Sequence, residues 1–456
     1  MNKTLWDNIS TFSFDIPQSE YGFSTRLAKE NFWTQNFTSA AILEYKKFMY
    51  LAATSDMMVS PSEIVDTVWH QHLIFTQSYN DFCNLIGKQI QHIPSTHNKV
   101  DFQRFKQAKE RTSKLYEATF GAQPKGIWAF SDMYASLNLR KAKLKLRTFI
   151  IIGILTFLIF MPLFFILLES TFIQIQNPSF IWSYLSFAAV IFAFLQIYNH
   201  TKLIQITKNF SKDSFIYNLA PYELVYLKNQ TIESVINGSI NELIDNATIS
   251  IEDDKKLELK SNNLGQTIEQ FQIITTLNEL GRSTYPYLIK KLSTKPLFNK
   301  TFNCMNALSK YFIKSLKFGR LFYLNFSLMA MVIMLGVIRL STGIIRNKPI
   351  VFLAFVVIAL TIFMIIFLHR LTKRLCTETI PKLYKDEILT QKQIESDWQW
   401  RYFVMGTTAL TASLFSVFTY FKGNDTTGGN GNSSCGSSCG SSCSSCGGGC
   451  GGCGGS

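Results

Sequence analysis

The stretch TFIIIGILTFLIFMPLFFILL, residues 148–168, carries no charged side chain. A helix needs about 20 mostly apolar residues to cross the hydrocarbon core of a bilayer, and this segment meets that length. Basic residues that flank such a segment favour the cytosolic side of the membrane. The residues just before it include Arg140, Lys141, Lys143, Lys145 and Arg147. The stretch therefore predicts a first transmembrane helix that is entered from the cytosol.

Further apolar runs predict two helical hairpins, at residues 148–198 and 321–368. The connector at 169–179 has no Lys or Arg, as expected for an external loop. The second connector contains Arg339, Arg346 and Lys348, which is unusual for an external loop, but the outer flanks of that hairpin are more basic still. We expect both hairpins to have the same orientation.

Residues 402–421 form another charge-free segment of suitable length, preceded by Trp398 and Trp400. We interpret it as a fifth span, and the alternative is a surface or re-entrant helix. If it spans, the tail at 423–456 lies outside the cytosol. The fold class is therefore mainly α: a multi-pass helical protein of the cell (inner or plasma) membrane, with a cytosolic N-terminus and an extracytoplasmic tail.

Composition supports this class and argues against others. The 456 residues are 47% apolar and only 17% charged, with a formal net charge of +14. Many of the basic residues flank apolar runs, so orientation in the bilayer explains them better than nucleic-acid binding. The predicted hairpin cores lack ionisable residues, which disfavours transport. Residues 1–51 lack the pattern of a cleavable signal peptide.

The N-terminal region, residues 1–130, predicts a helical cytosolic domain. Helices are expected at 38–53, 75–86 and 101–119 from their apolar periodicity. Between the first two, Ser60 and Glu63 have the spacing of a capping box with Pro61 at the first helical position. A further helix is therefore expected to begin at Pro61.

Residues 215–320 predict a small α+β insert. One helix opens at Pro221, a second covers 231–245, and alternating polarity at 247–252 and 257–260 predicts a β-hairpin. Two helices followed by a hairpin give a winged-helix-like outline. The second helix has no Lys or Arg for phosphate contacts, so DNA binding is disfavoured and a protein-interaction or regulatory module is expected.

The segment SPSEIVDTVWHQHLIFTQSYNDFCNLIGKQIQHIP, residues 60–94, resembles the glycine-rich domain-containing proteins. The positions that carry the resemblance are Val65, Asp66, Trp69, His70, His72, Tyr79, Cys83 and Gly87. It covers about the first 125 residues and implies no particular activity. Residues 219–227, LAPYELVYL, resemble the start of an uncharacterised domain in bacterial membrane proteins with Gly/Cys-rich tails, which implies a bacterial source.

Candidate metal ligands in this segment are Asp66, His70, His72 and His92. Asp66 and His70 stand four residues apart and share one helix face, an arrangement that often presents ligands to zinc or another divalent transition metal. His72 points nearly the opposite way and joins them only if the helix loosens after His70. The alternative is structural: Asp66 and His70 pair to fix Trp69, and His72 caps the helix end.

The tail at 423–456 consists almost entirely of Gly, Ser, Asn and Cys and predicts disorder. Its six cysteines allow a thiolate cluster, disulfide cross-links, or no chemistry at all. They are Cys435, Cys439, Cys443, Cys446, Cys450 and Cys453.

Two hypotheses for function follow. The first is a membrane-anchored interaction or scaffold protein, with the lipid bilayer and cytosolic proteins as partners and no enzymatic activity. The second is a metal-binding protein or metal-dependent enzyme that uses Asp66, His70 and His72 with the thiol-rich tail.

Overall fold

The structure is a computed structural model that describes residues 2–93, 99–261, 265 and 267–424. Seven helices make up the N-terminal part that it describes. They are α1 (Lys3–Thr11), α2 (Phe23–Asn31), α3 (Gln35–Thr54), α4 (Glu63–Ile74), α5 (Thr76–Ile86), α6 (Lys99–Phe120) and α7 (Lys125–Trp128). The helices expected at 38–53, 75–86 and 101–119 are confirmed as α3, α5 and α6.

The expected start of the fourth helix at Pro61 is wrong. Helix α4 begins at Glu63, because Ser62 keeps an extended backbone and its Oγ accepts the Val65 N–H at 3.2 Å. The Ser60 N–H donates to Thr112 Oγ1 of α6 at 2.8 Å. This tertiary hydrogen bond holds Ser60 outside the helix, so the Ser60–Glu63 capping box does not form.

Helices α8 (Leu146–Gln174) and α9 (Asn177–Lys208) form the first apolar hairpin. Pro162 lies inside α8 without ending it, as the sequence suggested. The connector expected at 169–179 is much shorter, since only Ile175 and Gln176 separate the two helices.

The insert is more elaborate than two helices and a hairpin. Its elements are α10 (Pro221–Asn229), α11 (Ile232–Asp245), β1 (Ile249–Ile251), β2 (Lys256–Leu259), α12 (Ile268–Leu280), β3 (Ser283–Thr284), α13 (Tyr285–Ser293) and α14 (Pro296–Ile313). The predicted hairpin is confirmed: β1 and β2 pair antiparallel, with Ile249 opposite Leu259. Strand β3 pairs with β2 as a third strand. The winged-helix resemblance stays a prediction.

Helices α15 (Leu316–Ile345) and α16 (Val351–Arg374) form the second apolar hairpin. Helices α8, α9, α15 and α16 are long and apolar enough to cross a membrane. Helix α15 is central, because it contacts the other three. Where it meets α9, the side-chain amides of Asn199 and Asn325 donate to each other at 2.8 and 2.7 Å, and both residues are fully buried.

Arg339, one of the basic residues that the sequence placed in the second connector, has a structural role. It lies inside α15 and is buried, and its guanidinium donates to the carbonyl oxygens of Phe172 and, at 2.7 Å, Ile175. The last carbonyls of a helix lack partners within the helix and carry partial negative charge. Arg339 therefore caps the end of α8. This contact accounts for the extension of α8 beyond residue 168, to Gln174, and for a cation at position 339.

The N-terminal part and the insert share one continuous hydrophobic core. Helix α14 packs against α2, and Glu223 of α10 accepts the Gln35 N–H of α3 at 2.7 Å. A second, smaller core lies within the apolar hairpins. The two predicted modules at 1–130 and 215–320 therefore meet as one packed body.

After α16 the chain continues through α17 (Ile380–Leu383), α18 (Gln391–Ser396), α19 (Trp398–Met405) and α20 (Ala412–Asn424). The segment predicted as a fifth span is broken: Trp398–Ala409 and Ala412–Phe421 meet at 53° and count as a span only if the pair is taken together. Both parts contact the insert, since Tyr402 Oη donates to the Ser234 carbonyl at 2.8 Å and Phe421 stacks on Tyr285 with 6.3 Å between centroids; in the break between them, the Thr411 N–H donates to Asn241 Oδ1 at 2.7 Å. The six tail cysteines lie outside the described residues.

Candidate metal centre

Helix α4 presents Asp66 and His70 on its outer face. Their side chains are 39% and 59% exposed, and His70 Nε2 lies 3.5 Å from Asp66 Oδ2. On the opposite face, Ile64, Val65 and Val68 are buried in the hydrophobic core. This division follows from the helical repeat, which keeps positions four residues apart on one side.

The third residue, His92, comes from the segment that follows α5. That helix ends at Gly87, whose φ of 72° is a left-handed conformation that glycine adopts without strain. Lys88 then donates to the carbonyl oxygens of Ala52 and Ser55, each at 3.0 Å, which fastens the segment to the end of α3. The turn and the lysine together bring the chain back toward α4.

A chain of hydrogen bonds then holds the segment over α4. Trp69 Nε1 donates to Tyr79 Oη at 3.2 Å, and Tyr79 Oη donates to the Ile90 carbonyl. The ring of His92 packs edge-on against Trp69, with 4.6 Å between centroids. Trp69 and Tyr79 thus fix the position of His92.

Three side chains converge as a result. His92 Nε2 lies 3.0 Å from both Asp66 Oδ1 and His70 Nε2. Potential ligand atoms of the three residues all lie within 4.8 Å of one another. His92 is the least exposed, with 16% of its side chain accessible.

These separations suit one small metal ion. Zinc bonds of about 2.0–2.1 Å to nitrogen or oxygen, arranged tetrahedrally, place neighbouring ligand atoms roughly 3.4 Å apart. The observed 3.0, 3.0 and 3.5 Å bracket that value. Two imidazoles and one carboxylate are also the ligand types found in catalytic zinc sites, in which the fourth position is left open.

A cavity of about 510 Å³ adjoins the cluster and includes Asp66 and His92 in its wall. Its volume falls within the range of small-molecule sites. Carboxylates from Asp56 and Glu63 and cations from Lys88 and Arg104 also line it, beside apolar side chains such as Phe105. An open metal position would therefore face a chamber with groups of both charges.

His72 does not join the cluster. The helix stays regular past His70, so His72 turns into the core, where it is fully buried. Its Nδ1 is 2.9 Å from Tyr45 Oη and its Nε2 is 3.2 Å from Ser78 Oγ. Burial lowers the pKa of His72 to about 4, so the ring is neutral at physiological pH. Its role is structural, although it packs inside the core instead of capping the helix end.

Of the remaining candidates, the structure describes only Cys83, which is not part of the cluster. Cys83 is a free thiol buried in the core. His97 and the tail cysteines fall outside the described residues. The sequence argument missed Glu63, which stands three residues before Asp66 and lines the same cavity. The spacing alone would have placed it on that face of α4.

Comparison with known proteins adds a family for the N-terminal part only. A family model described as UCP032817-like matches residues 20–114, a segment that contains Asp66, His70 and His92. No curated protein and no solved structure matches the chain. The family is uncharacterised, and the resemblance to glycine-rich domain-containing proteins stays a prediction.

Proposed function

We propose that this chain is a multi-pass membrane protein that holds a divalent transition metal, such as zinc, between Asp66, His70 and His92 on the cytosolic side. The observation that carries the proposal is the convergence of three side chains: His92 Nε2 lies 3.0 Å from both His70 Nε2 and Asp66 Oδ1, and His70 Nε2 lies 3.5 Å from Asp66 Oδ2. Asp66 and His70 keep much of their side chains exposed, so a metal ion reaches them without opening the core. Four helices of membrane-spanning length supply the anchor.

The three-ligand arrangement favours a reactive site over a purely structural one. Structural zinc sites are closed by four protein ligands, whereas catalytic sites keep one position for water or substrate. A metal in this position supplies Lewis acidity to whatever the adjoining cavity binds. Asp56 and Glu63 would attract a cationic group there, while Lys88 and Arg104 would attract an anionic one. A small zwitterionic molecule matches that lining best.

The interaction-protein hypothesis remains the second candidate, with lipid and cytosolic proteins as the partners. It is supported by the size of the body that the N-terminal part and the insert build together. The two hypotheses are compatible, because a membrane-held body can both bind a metal and contact partners. The metal site ranks first because specific distances support it.

Metal analysis of the full chain tests the proposal. Protein purified in detergent, loaded with zinc and freed of excess metal, is expected to retain about one zinc per chain. The His70→Ala and His92→Ala variants should each lose most of it, and cobalt loaded instead should show the visible absorption bands of a tetrahedral site. His200→Ala is the matched control, since His200 is an exposed histidine on α9, remote from the cluster in sequence.

The outcomes are distinct. Metal loss in the two cluster variants with retention in His200→Ala supports the site. The proposal is overturned if all variants retain zinc equally, or if the cobalt spectrum of His92→Ala is the same as that of the unmodified protein. Far-ultraviolet circular dichroism checks that the cluster variants remain folded, which their surface position leads us to expect.

A further inference from the structure

A second cavity, of about 320 Å³, lies between α9 and α15 at the end of the apolar hairpins nearest the insert. Lys202 comes from α9, and Lys317 and Arg320 come from the first turns of α15. The amides of Gln205 and Asn209 also line it. Three cations thus share one small chamber with neutral hydrogen-bonding groups and no carboxylate in its wall.

Within the described part of the chain, no carboxylate balances the charge of this chamber. Among the ion pairs of the described residues, none includes Lys202, Lys317 or Arg320. Lys202 donates only to a neutral acceptor, Gln205 Oε1, at 3.1 Å. Like charges held together repel one another, so an anion in the chamber would relieve a cost that the folded chain otherwise bears.

The opposite side of α9 gives an internal comparison. A cavity of about 440 Å³ there is lined by cations and carboxylates together. Arg374 pairs with Glu378 at 2.8 Å, and Lys208 approaches Glu387 at 3.9 Å. The same protein therefore neutralises one cavity with its own side chains and leaves the other positive.

The position of the positive chamber indicates the source of the anion. The apolar run of α9 ends near Tyr198, and that of α15 begins at Leu321; both residues line the chamber. The cations thus stand where a hydrocarbon core would give way to headgroups. The N-terminus of α15, which begins one residue before Lys317, adds partial positive charge. Exposed Phe194 stacks on Tyr198, with 5.9 Å between ring centroids, and extends the apolar surface of α9 away from the chamber, where acyl chains would lie.

We propose that this chamber binds the phosphate headgroup of an anionic phospholipid from the cytosolic leaflet. The proposal rests on the membrane placement made above, and not on the metal site. Basic pockets between membrane helices on the cytosolic side are suited to such headgroups. A free phosphate offers the same charge, but it makes no use of the apolar surface that continues from the chamber.

Native mass spectrometry of the full chain tests this inference. The protein is released from mixed micelles that contain phosphatidylglycerol or phosphatidylcholine, and retained lipid is counted. We expect phosphatidylglycerol to be retained in preference. The triple variant Lys202→Gln, Lys317→Gln, Arg320→Gln should lower its retention at least tenfold, since each cation near a membrane surface contributes roughly fivefold.

The matched control removes the same charges elsewhere. Arg282→Gln, Lys290→Gln, Lys291→Gln takes two lysines and one arginine from exposed positions of the insert, after α12 and on α13. Retention should then stay close to that of the unmodified chain. An equal loss in both triple variants would show a diffuse basic surface and overturn the chamber. The single variant Arg320→Gln gives a partial loss if the chamber binds, and keeps the test decisive should the triple variant fold poorly.

Two further arms separate the possible sources and premises. Millimolar inorganic phosphate should not displace phosphatidylglycerol; full displacement would assign the chamber to free phosphate and overturn the lipid proposal. Alkaline carbonate extraction of cell membranes tests the placement independently. Release of the chain by carbonate would overturn the membrane proposal itself. A chain that stays in the membrane but shows no lipid preference would overturn only the proposal for the chamber.

Discussion

Two histidines of α4 should respond to substitution in opposite ways. His72 is fully buried and has hydroxyl partners in Tyr45 and Ser78, at 2.9 and 3.2 Å. In His72→Ala, about 1 kcal/mol is lost for each hydrogen bond, and the Tyr45 hydroxyl left unpaired in the core costs a further 1–3 kcal/mol or so. These contributions together predict a loss of about 3–5 kcal/mol, and the void left by the ring adds to it.

His70→Ala should change the stability of the metal-free protein by no more than about 0.5 kcal/mol, because the side chain is 59% exposed. It should instead abolish metal retention. The helix is the same and the residues are two positions apart, so propensity cannot produce the difference. Only the faces on which they lie can.

The buried thiol of Cys83 supplies the assay. Metal-free full-length protein is pulsed with an alkylating reagent, and modification of the peptide that contains Cys83 is followed by mass spectrometry. A loss of about 3 kcal/mol should speed labelling roughly a hundredfold in His72→Ala. Cys376, buried beyond α16, serves as the internal reference.

The reasoning is refuted if Cys83 in His72→Ala stays as protected as in the unmodified chain. It is equally refuted if His70→Ala exposes Cys83 to the same extent. A His72→Ala protein that keeps its fold but loses the metal would return His72 to the ligand set.

Three other predictions concern the rest of the chain. Burial raises the pKa of Glu223 to about 7, so its contribution to the free energy of unfolding is complete below the ordinary value of about 4.5 and is lost as the pH rises through 7. Between pH 5 and pH 8 the thermal midpoint should therefore fall by the equivalent of up to about 3 kcal/mol. Glu223→Gln should flatten this pH profile, whereas Glu279→Gln, at an exposed position, should not. Asn325→Leu should lower the free energy of unfolding in detergent by about 1–2 kcal/mol because it leaves Asn199 unpaired. The double variant with Asn199→Leu should recover part of that loss. Strictly additive losses would argue against the amide pair. Because the segment 398–424 packs on the insert, we expect the tail cysteines to label with an impermeant thiol reagent only after cell lysis. Labelling of intact cells would support the fifth span, which the bent pair allows, and the extracytoplasmic tail.

The broken segment shows why hydropathy alone cannot settle topology. Its 402–421 stretch has the length and composition of a span, and nothing local marks it otherwise. Helix α20 has 13 residues, about 20 Å of rise, which is less than the roughly 30 Å of a hydrocarbon core. Some of its apolar side chains are instead buried by packing on the insert: Phe421 stacks on Tyr285, and Leu414 is fully buried.

Part of the candidate metal site could be predicted from the sequence. Asp66 and His70 could be paired from their spacing, because four residues make about one helical turn wherever a helix forms. His92 became a candidate because four of the six histidines of the chain, His70, His72, His92 and His97, lie within residues 60–97. Its approach to α4 depends on Gly87, Lys88 and the Trp69–Tyr79–Ile90 contacts, which no local pattern displays.

The sequence alone therefore determined the features that depend on local pattern or on apolar length. These are helices α8, α9, α15 and α16, the hairpin of β1 and β2, and the shared face of Asp66 and His70. These follow from residue periodicity and from uninterrupted apolar length, which act over one turn or one span. Tertiary structure decided that His92 joins the cluster, that His72 leaves it, and that α19 and α20 bend onto the insert. Those outcomes depend on which buried surfaces pack best between residues distant in the chain, and that free energy belongs to the assembled fold.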